Sequence, residues 1–466
     1  MRARTSDAPA TRNRDRAGEV AAEVADRLSD PDRVSELWDG PEPFDVIPGV
    51  GPIPVAPSYT LIEGIPGVAV LWGEMGRRDP QARQRAHAHL SAAADRTPAT
   101  GPYGLGLFGG LAALGAAATI TATAPGHYRR ISATVDSYVV RQAGTLLRAE
   151  QARLEGGLPL GSWAAFDSIA GLAGVGRYLL GRCVAAGDDD AAVRDVVAAI
   201  CRYLVQLTRP LTVHGTSLPG WYVLPDEDQN VSQQLSPGAS TGLAHGIAGP
   251  LSLLATAWRA GITVPGHEEA VHLIAEWLQA RLRRNRYGCY WPGNISPDEE
   301  ITSLADTPPT HRIGSWCWGT PGIARALQLA GRALGRPEWE RTAVDAQRAL
   351  FDNPEHDREL PDAALCHGLG GLLVATDLIA QDSGDPELAA RASRTAEAML
   401  ELFDPEARYG YRHVLAASQG TVVPDRPGFL NGAAGAALAL WEYAEAGPAD
   451  RREPGALSWT ALLMLG

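Results

Sequence analysis

Three side chains that favour soft metals stand in two short stretches. Ser315-Trp316-Cys317-Trp318-Gly319-Thr320-Pro321-Gly322 carries a thiol, and Leu365-Cys366-His367-Gly368-Leu369-Gly370-Gly371 carries a thiol followed by an imidazole. In both, the cysteine sits two residues before a Gly-x-x-Gly turn that opens an apolar run. Thiolate and imidazole suit zinc, and a catalytic zinc keeps three protein ligands and one open position. Cys317, Cys366 and His367 match that count and softness. Either cysteine alone also reads as a small core residue at a helix start. Their shared register, with a histidine beside one, favours ligation.

Two more residues could move protons. His245, in Ala244-His245-Gly246, would titrate near neutrality as a general acid or base, or would simply bond backbone at a helix entry. Asp167, four residues before Gly171, would cap its helix or orient and charge His245. Cys183, Cys201 and Cys289 have no comparable placement and read as structural.

The elements that must carry these residues follow from an internal repeat. Gly-x-x-Gly recurs seven times, at Gly64–Gly67, Gly106–Gly109, Gly171–Gly174, Gly246–Gly249, Gly319–Gly322, Gly368–Gly371 and Gly432–Gly435. The residue before the first glycine is in turn Glu63, Leu105, Ala170, His245, Trp318, His367 and Asn431. Each turn opens an almost wholly apolar run, such as Ile323–Ala330 or Leu372–Ile379. A helix apolar all round is buried all round. Between these runs lie one-sided amphipathic segments, Ala191–Leu207, Glu268–Arg284, Glu338–Leu350 and Glu387–Leu402.

The alternation predicts an all-α fold, an α/α toroid of about seven inner and seven outer helices. An open helical solenoid is the competing arrangement, and the unequal spacers favour closure. Strand-like segments at Gly220–Leu224, Tyr287–Ile295 and Tyr409–Val423 would shape one mouth, where Cys317, Cys366, His367 and His245 should converge. Residues 1–50 read as a charged, flexible extension, and residues 51–466 as one toroid domain.

Composition narrows the function. The 466 residues carry a net charge of -13, and all 41 basic residues counted as Lys+Arg are arginine. With no basic field, nucleic acid is not an expected partner. Five scattered cysteines and no apolar N-terminal segment point to the cytoplasm. The uncharged stretch 101–126 reads as a buried helix and not a membrane span.

Taken together, the motifs resemble those of the lanthipeptide cyclases, the LanC-like family. The matching signatures are Ser-Trp-Cys-Trp-Gly-Thr-Pro-Gly at 315–322, Cys-His-Gly at 366–368, Ala-His-Gly at 244–246 and the aspartate at 167, within a resemblance running from about Ser58 to Ala446. It implies a zinc-dependent lanthionine synthetase on an α/α toroid, with zinc on Cys317, Cys366 and His367. Peptide cysteine thiolates would add to dehydroalanine or dehydrobutyrine in a precursor peptide, closing thioether rings. His245 would be the acid/base and Asp167 its partner.

Two departures stand out. Trp318 replaces a common tyrosine, so no hydroxyl role carries over. The family arginine four residues before the first cysteine is Ile313 here, with Arg312 one place earlier as the catalytic substitute. The resemblance also implies a separate dehydratase as partner, and an exporter complex at the membrane. Two alternatives share the motifs: addition of an external thiol such as glutathione to dehydrated residues, and a non-catalytic scaffold that binds peptide or dehydratase. A glycosidase on the same fold lacks paired carboxylates in the repeat register.

Overall fold

The computed structural model describes residues 7–38, 44–47, 51–54, 56–98, 104–124, 126–186, 190–213, 215–224, 238–285, 288–296, 312–352, 360–417, 420–445 and 453–466. Seven helices form an inner ring: α3 (Ile65–Met75), α5 (Ala112–Thr121), α7 (Leu172–Ala186), α9 (Ala248–Arg259), α11 (Thr320–Leu334), α13 (Leu369–Ser383) and α15 (Ala433–Glu445). Each packs on the next, and α15 packs back on α3, so the ring closes. Outside them lie α4 (Pro80–Arg96), α6 (Arg129–Glu155), α8 (Ala191–Gln206), α10 (His267–Ala280), α12 (Pro337–Leu350) and α14 (Pro386–Glu401), each against the inner helix that precedes it. Several outer helices start at a side-chain cap, as at Asp79, Asp190 and Asp385. The fold is an α/α toroid.

The seventh outer helix comes from the other end of the chain. α1 (Asp7–Arg27) packs along α15 and buries Ala17, Ala21, Val24 and Ala25 completely, and Leu28 just past its end is fully buried as well. Arg14 lies over the Tyr443 ring and donates to the Tyr443 carbonyl at 2.9 Å. This corrects the expectation of a flexible extension for residues 7–38. Charge density there masked an apolar stripe of small residues, whose partner is distant in sequence. The short α2 (Pro31–Ser35) follows it, and a hairpin pairs β1 (Phe44–Ile47) with β2 (Gly51–Pro54).

The inner-helix entries are tied into a closed circuit of backbone hydrogen bonds. Leu61 N–H donates to Phe108 O (2.8 Å), Phe108 to Ile169 (3.2 Å), Ser168 to Ala244 (3.0 Å) and Ala244 to Cys317 (3.0 Å). Cys317 then donates to Cys366 (3.3 Å), Cys366 to Leu430 (3.1 Å) and Leu430 to Ile62 (2.9 Å). The glycines permit this approach. A Cβ on Gly322 would meet Trp316 O at 2.3 Å, and one on Gly371 would meet Leu365 O at 2.1 Å.

The circuit also corrects the second copy of the repeat. Phe108 occupies the position that Cys317 and Cys366 hold in theirs, so the register glycine is Gly110 and not Gly106. A Cβ on Gly110 would lie 2.0 Å from Gly104 O, whereas one on Gly109 would meet nothing within 4 Å. Ala113 takes the place of the second glycine, which is why the pattern alone settled four residues early.

Below the circuit the axis is filled. Phe108 packs near Trp316 and Phe429, and the C-terminal segment with α16 (Trp459–Leu462) lies beneath them, with Leu463, Met464 and Leu465 fully buried. Inner-ring side chains hold its carbonyls: Trp316 Nε1 to Leu463 (2.9 Å), Ser252 Oγ to Met464 (2.6 Å), Arg325 Nε to Leu465 (2.7 Å) and Arg177 to Ala456 (2.6 Å).

Short antiparallel pairs decorate the loops: β3 (Leu211–Val213) with β4 (Thr216–Leu218), β5 (Ala239–Ser240) with β8 (Asn294–Ile295), β6 (Arg283–Asn285) with β7 (Gly288–Tyr290), and β9 (Leu415–Ala417) with β10 (Gly420–Val422). In the predicted segment 220–224 only Val223 pairs, bridging Leu160 and Gly238. Tyr287 and residues 418–419 lie outside the described residues, as do residues 101–103 and 125 of the uncharged stretch. The rest of that stretch supplies the buried α5, and no described helix is long and apolar enough to cross a membrane.

Candidate metal centre

Cys317 and Cys366 are successive members of the backbone circuit, so their side chains are set by the barrel itself. The ligand atoms of Cys317, Cys366 and His367 all lie within 4.8 Å of one another, with Cys317 buried and the other two partly open. Tetrahedral zinc bonds of about 2.0–2.3 Å place ligand atoms roughly 3.5–4 Å apart. Two thiols, an imidazole and this spacing therefore fit a zinc ion with a fourth position left over. The Cys317 thiol is pulled well below its ordinary value by a hydrogen bond from Cys366, against the cost of burial, with His367 and Ser315 helping. The Cys366 thiol is pushed up by the same pairing and by burial.

Beside it stands a second pair. His245 Nδ1 lies 2.6 Å from Asp167 Oδ2. The other oxygen, Oδ1, accepts the backbone N–H groups of Ile169 (3.1 Å), Ala170 (2.7 Å) and Gly171 (2.8 Å). Capping and orienting were alternatives in the sequence; Asp167 does both. Burial lowers the His245 pKa, but the hydrogen bond and charge of Asp167, with the charge of Cys317, leave it above the ordinary value. The His245 side chain remains 36% exposed, so its other nitrogen can reach a ligand.

Trp318 and Trp163 complete the wall. Their rings meet edge to face at 5.3 Å, and the His245 ring lies 5.8 Å from Trp318 and 6.0 Å from Trp163. Trp163 carries no repeat-register signal and was not foreseen. Arg312 donates to the His367 carbonyl at 3.4 Å, and its charge acts on Cys366. Ile313 is fully buried, so Arg312 reaches the site from one residue farther back. Cys183, Cys201 and Cys289 are buried away from the cluster, and burial pushes Cys183 to about 11 and Cys201 to about 12.

Two other side chains adjoin the centre without a sequence signal of their own. Asp362 lies in the loop before Cys366 and binds His413 Nδ1 at 2.7 Å. His413 comes from the loop between α14 and α15, and its ring centroid is 5.7 Å from that of His367.

Comparisons with known proteins bear on the family and the fold. The model of the family described as lanthionine synthetase C-like protein matches residues 56–457. A comparison with curated protein sequences returned no match. Among solved structures, nisin cyclase aligns with a TM-score of 0.67 at 19% identity, covering 88% of this chain and 93% of that one. An unsaturated glucuronyl hydrolase specific for heparin aligns with a TM-score of 0.43 at 12% identity, covering 94% of this chain and 97% of that one.

Proposed function

Since the chain belongs to the lanthionine synthetase C-like family, we propose that it is a zinc-dependent cyclase that closes thioether rings in a dehydrated precursor peptide. The observation that carries the reading is the convergence of Cys317, Cys366 and His367 beside the His245–Asp167 pair. These three residues would hold the zinc. When bound, a zinc ion supplies a Lewis acid that lowers the pKa of a thiol at its open position.

The remaining steps fall to the chain's own groups. The substrate cysteine loses its S–H proton, and its sulfur bonds the β-carbon of dehydroalanine or dehydrobutyrine as the C=C π bond breaks. The α-carbon then takes a proton, so the product is an isomer of the reactant. His245 moves protons at Nε2, because Nδ1 is committed to Asp167. Trp318 and Trp163 wall the space around that nitrogen and limit water. Arg312 braces the His367 carbonyl and places positive charge near the developing enolate.

We place the reaction in the cytoplasm, as the scattered unpaired thiols suggest. A separate dehydratase must supply the alkene, and an exporter complex at the membrane is the proposed destination of the product. The test measures zinc in the purified protein, wild type beside Cys317→Ala, together with loss of free thiol from a dehydrated cysteine-containing peptide. About one zinc per chain, lost with catalysis in Cys317→Ala, is the expected result. Zinc-free wild type, purified without chelators, overturns the reading. Zinc without ring closure removes the cyclase assignment.

A further inference from the structure

We propose that His413, held by Asp362, is the positioning partner of His367: it accepts the ring N–H that His367 does not offer to the metal. The inference rests on the metal reading above.

Its footing is geometric. Asp362 Oδ2 already accepts the backbone N–H of Val414 at 2.8 Å, so it acts as an acceptor toward His413 as well. The proton therefore sits on His413 Nδ1, and in the neutral ring that the proposal requires Nε2 presents a lone pair. That Nε2 is buried and has no hydrogen-bond partner among the described residues. Both side chains are closed to solvent, at 1% for His413 and 2% for Asp362. A buried polar atom without a partner is destabilising, so a group that can satisfy it is expected nearby.

The His367 ring is the adjacent donor. Its centroid is 5.7 Å from that of His413, with the planes at 53°. Two imidazoles joined by an N–H···N bond of about 3 Å have centroids roughly 5.2 Å apart. The observed spacing falls about half an ångström short of contact. His413 itself stands outside the group whose donor atoms lie within 4.8 Å, so it is a partner to a ligand and not a fourth ligand. A histidine that binds metal gains basicity and a fixed tautomer when its second nitrogen donates.

One competing arrangement exists on the same side. A cavity of about 10 Å³ is lined by His413 and Asn431, and Asn431 Oδ1 is also buried without a partner among the described residues. A single water there would donate to both acceptors and leave His367 unassisted.

The experiment measures zinc affinity by competition with a chromogenic chelator, alongside the Tm of the metal-free protein. The proteins are wild type, His413→Leu, His413→Asn and His413→Gln. Leu has no acceptor and Asn is too short; both are expected to weaken zinc about 10–100-fold. Gln places a carbonyl oxygen near the lost Nε2 and should recover most of the affinity. A purely structural His413 would lower the Tm of every variant and leave the affinity of the folded fraction unchanged. Unchanged affinity in folded His413→Leu or His413→Asn overturns the inference and assigns Nε2 to the water cavity. Wild type that binds no zinc overturns the metal reading itself, which separates the two failures.

Discussion

Asp167 divides its carboxylate between a histidine and a helix entry: Oδ2 lies 2.6 Å from His245 Nδ1, while Oδ1 collects three backbone N–H groups at the entry to α7. The fixed backbone contacts prevent the carboxylate from turning. His245 therefore meets an acceptor in one orientation, and its outward nitrogen is set by that contact. Asp167→Asn keeps an oxygen for the helix entry but presents an NH2 group to His245. The expected loss in kcat is about a hundredfold or more, by analogy with other oriented histidines, with zinc content unchanged. The His245 titration, followed by NMR, should move to lower pH, because burial persists while the opposing charge is gone. An unmoved titration would show that Asp167 does not set the histidine.

The corrected repeat register gives a sharp comparison between neighbours. Gly110→Ala forces a Cβ to 2.0 Å from Gly104 O, while Gly109→Ala meets nothing within 4 Å. The first substitution should cost about 2–4 kcal/mol in denaturant unfolding, and the second under about 1 kcal/mol. Equal costs would return the repeat to Gly106.

Stability should depend on pH through one buried carboxyl. Burial raises Asp377 in α13 to about 6, although Gln381 donates to it at 2.6 Å. The folded state therefore holds a proton that the unfolded chain releases above the ordinary carboxyl value. That contribution is complete at low pH, declines between pH ~4 and ~6, and is gone above. Asp377→Asn should remove the slope and raise stability at pH 7 by about 2–3 kcal/mol. A wild type without that slope would show that Asp377 ionises freely.

Removal of residues 1–38 deletes the seventh outer helix. It exposes the α15 face that α1 covers and loses the burial of Val24 and Leu28 among others. A loss on the order of 5 kcal/mol follows from the apolar area uncovered, visible as a lower Tm and aggregation on heating. An unchanged Tm would mean that α15 needs no cover.

The thiols should sort by environment. In metal-free folded protein at pH 7.5, a maleimide should modify the Cys317–Cys366 pair first, through its partly open side. Cys183 and Cys201, raised to about 11 and 12, should stay unmodified until the chain unfolds. Rapid reaction at Cys201 would contradict its burial.

Much of this was readable before any coordinates. The inner helices announced themselves because total burial demands an apolar surface all round, and the candidate ligands because two cysteines share one register. What escaped has a physical cause in each case. α1 is charged on its outer face, and its apolar stripe is made of alanine and valine, which carry little weight until α15 is beside it. His413 and Trp163 enter from loops outside the repeat, so no spacing links them to His367 or His245. Gly110 was hidden by a neighbouring pair of glycines with the same spacing.

The filled axis has a consequence for how a long substrate must behave. Trp316, Phe429, Trp459 and the segment through Leu465 make a solid floor under the circuit that bears Cys317 and Cys366. Among the described residues no passage is left by which a polypeptide could be threaded through this barrel as a strand is drawn through a bead. It can only be laid against the mouth as an end or a bend, and it must leave by the way it came. If the chain closes rings as proposed above, successive rings along one peptide would be made by repeated docking, each segment competing afresh for the same mouth.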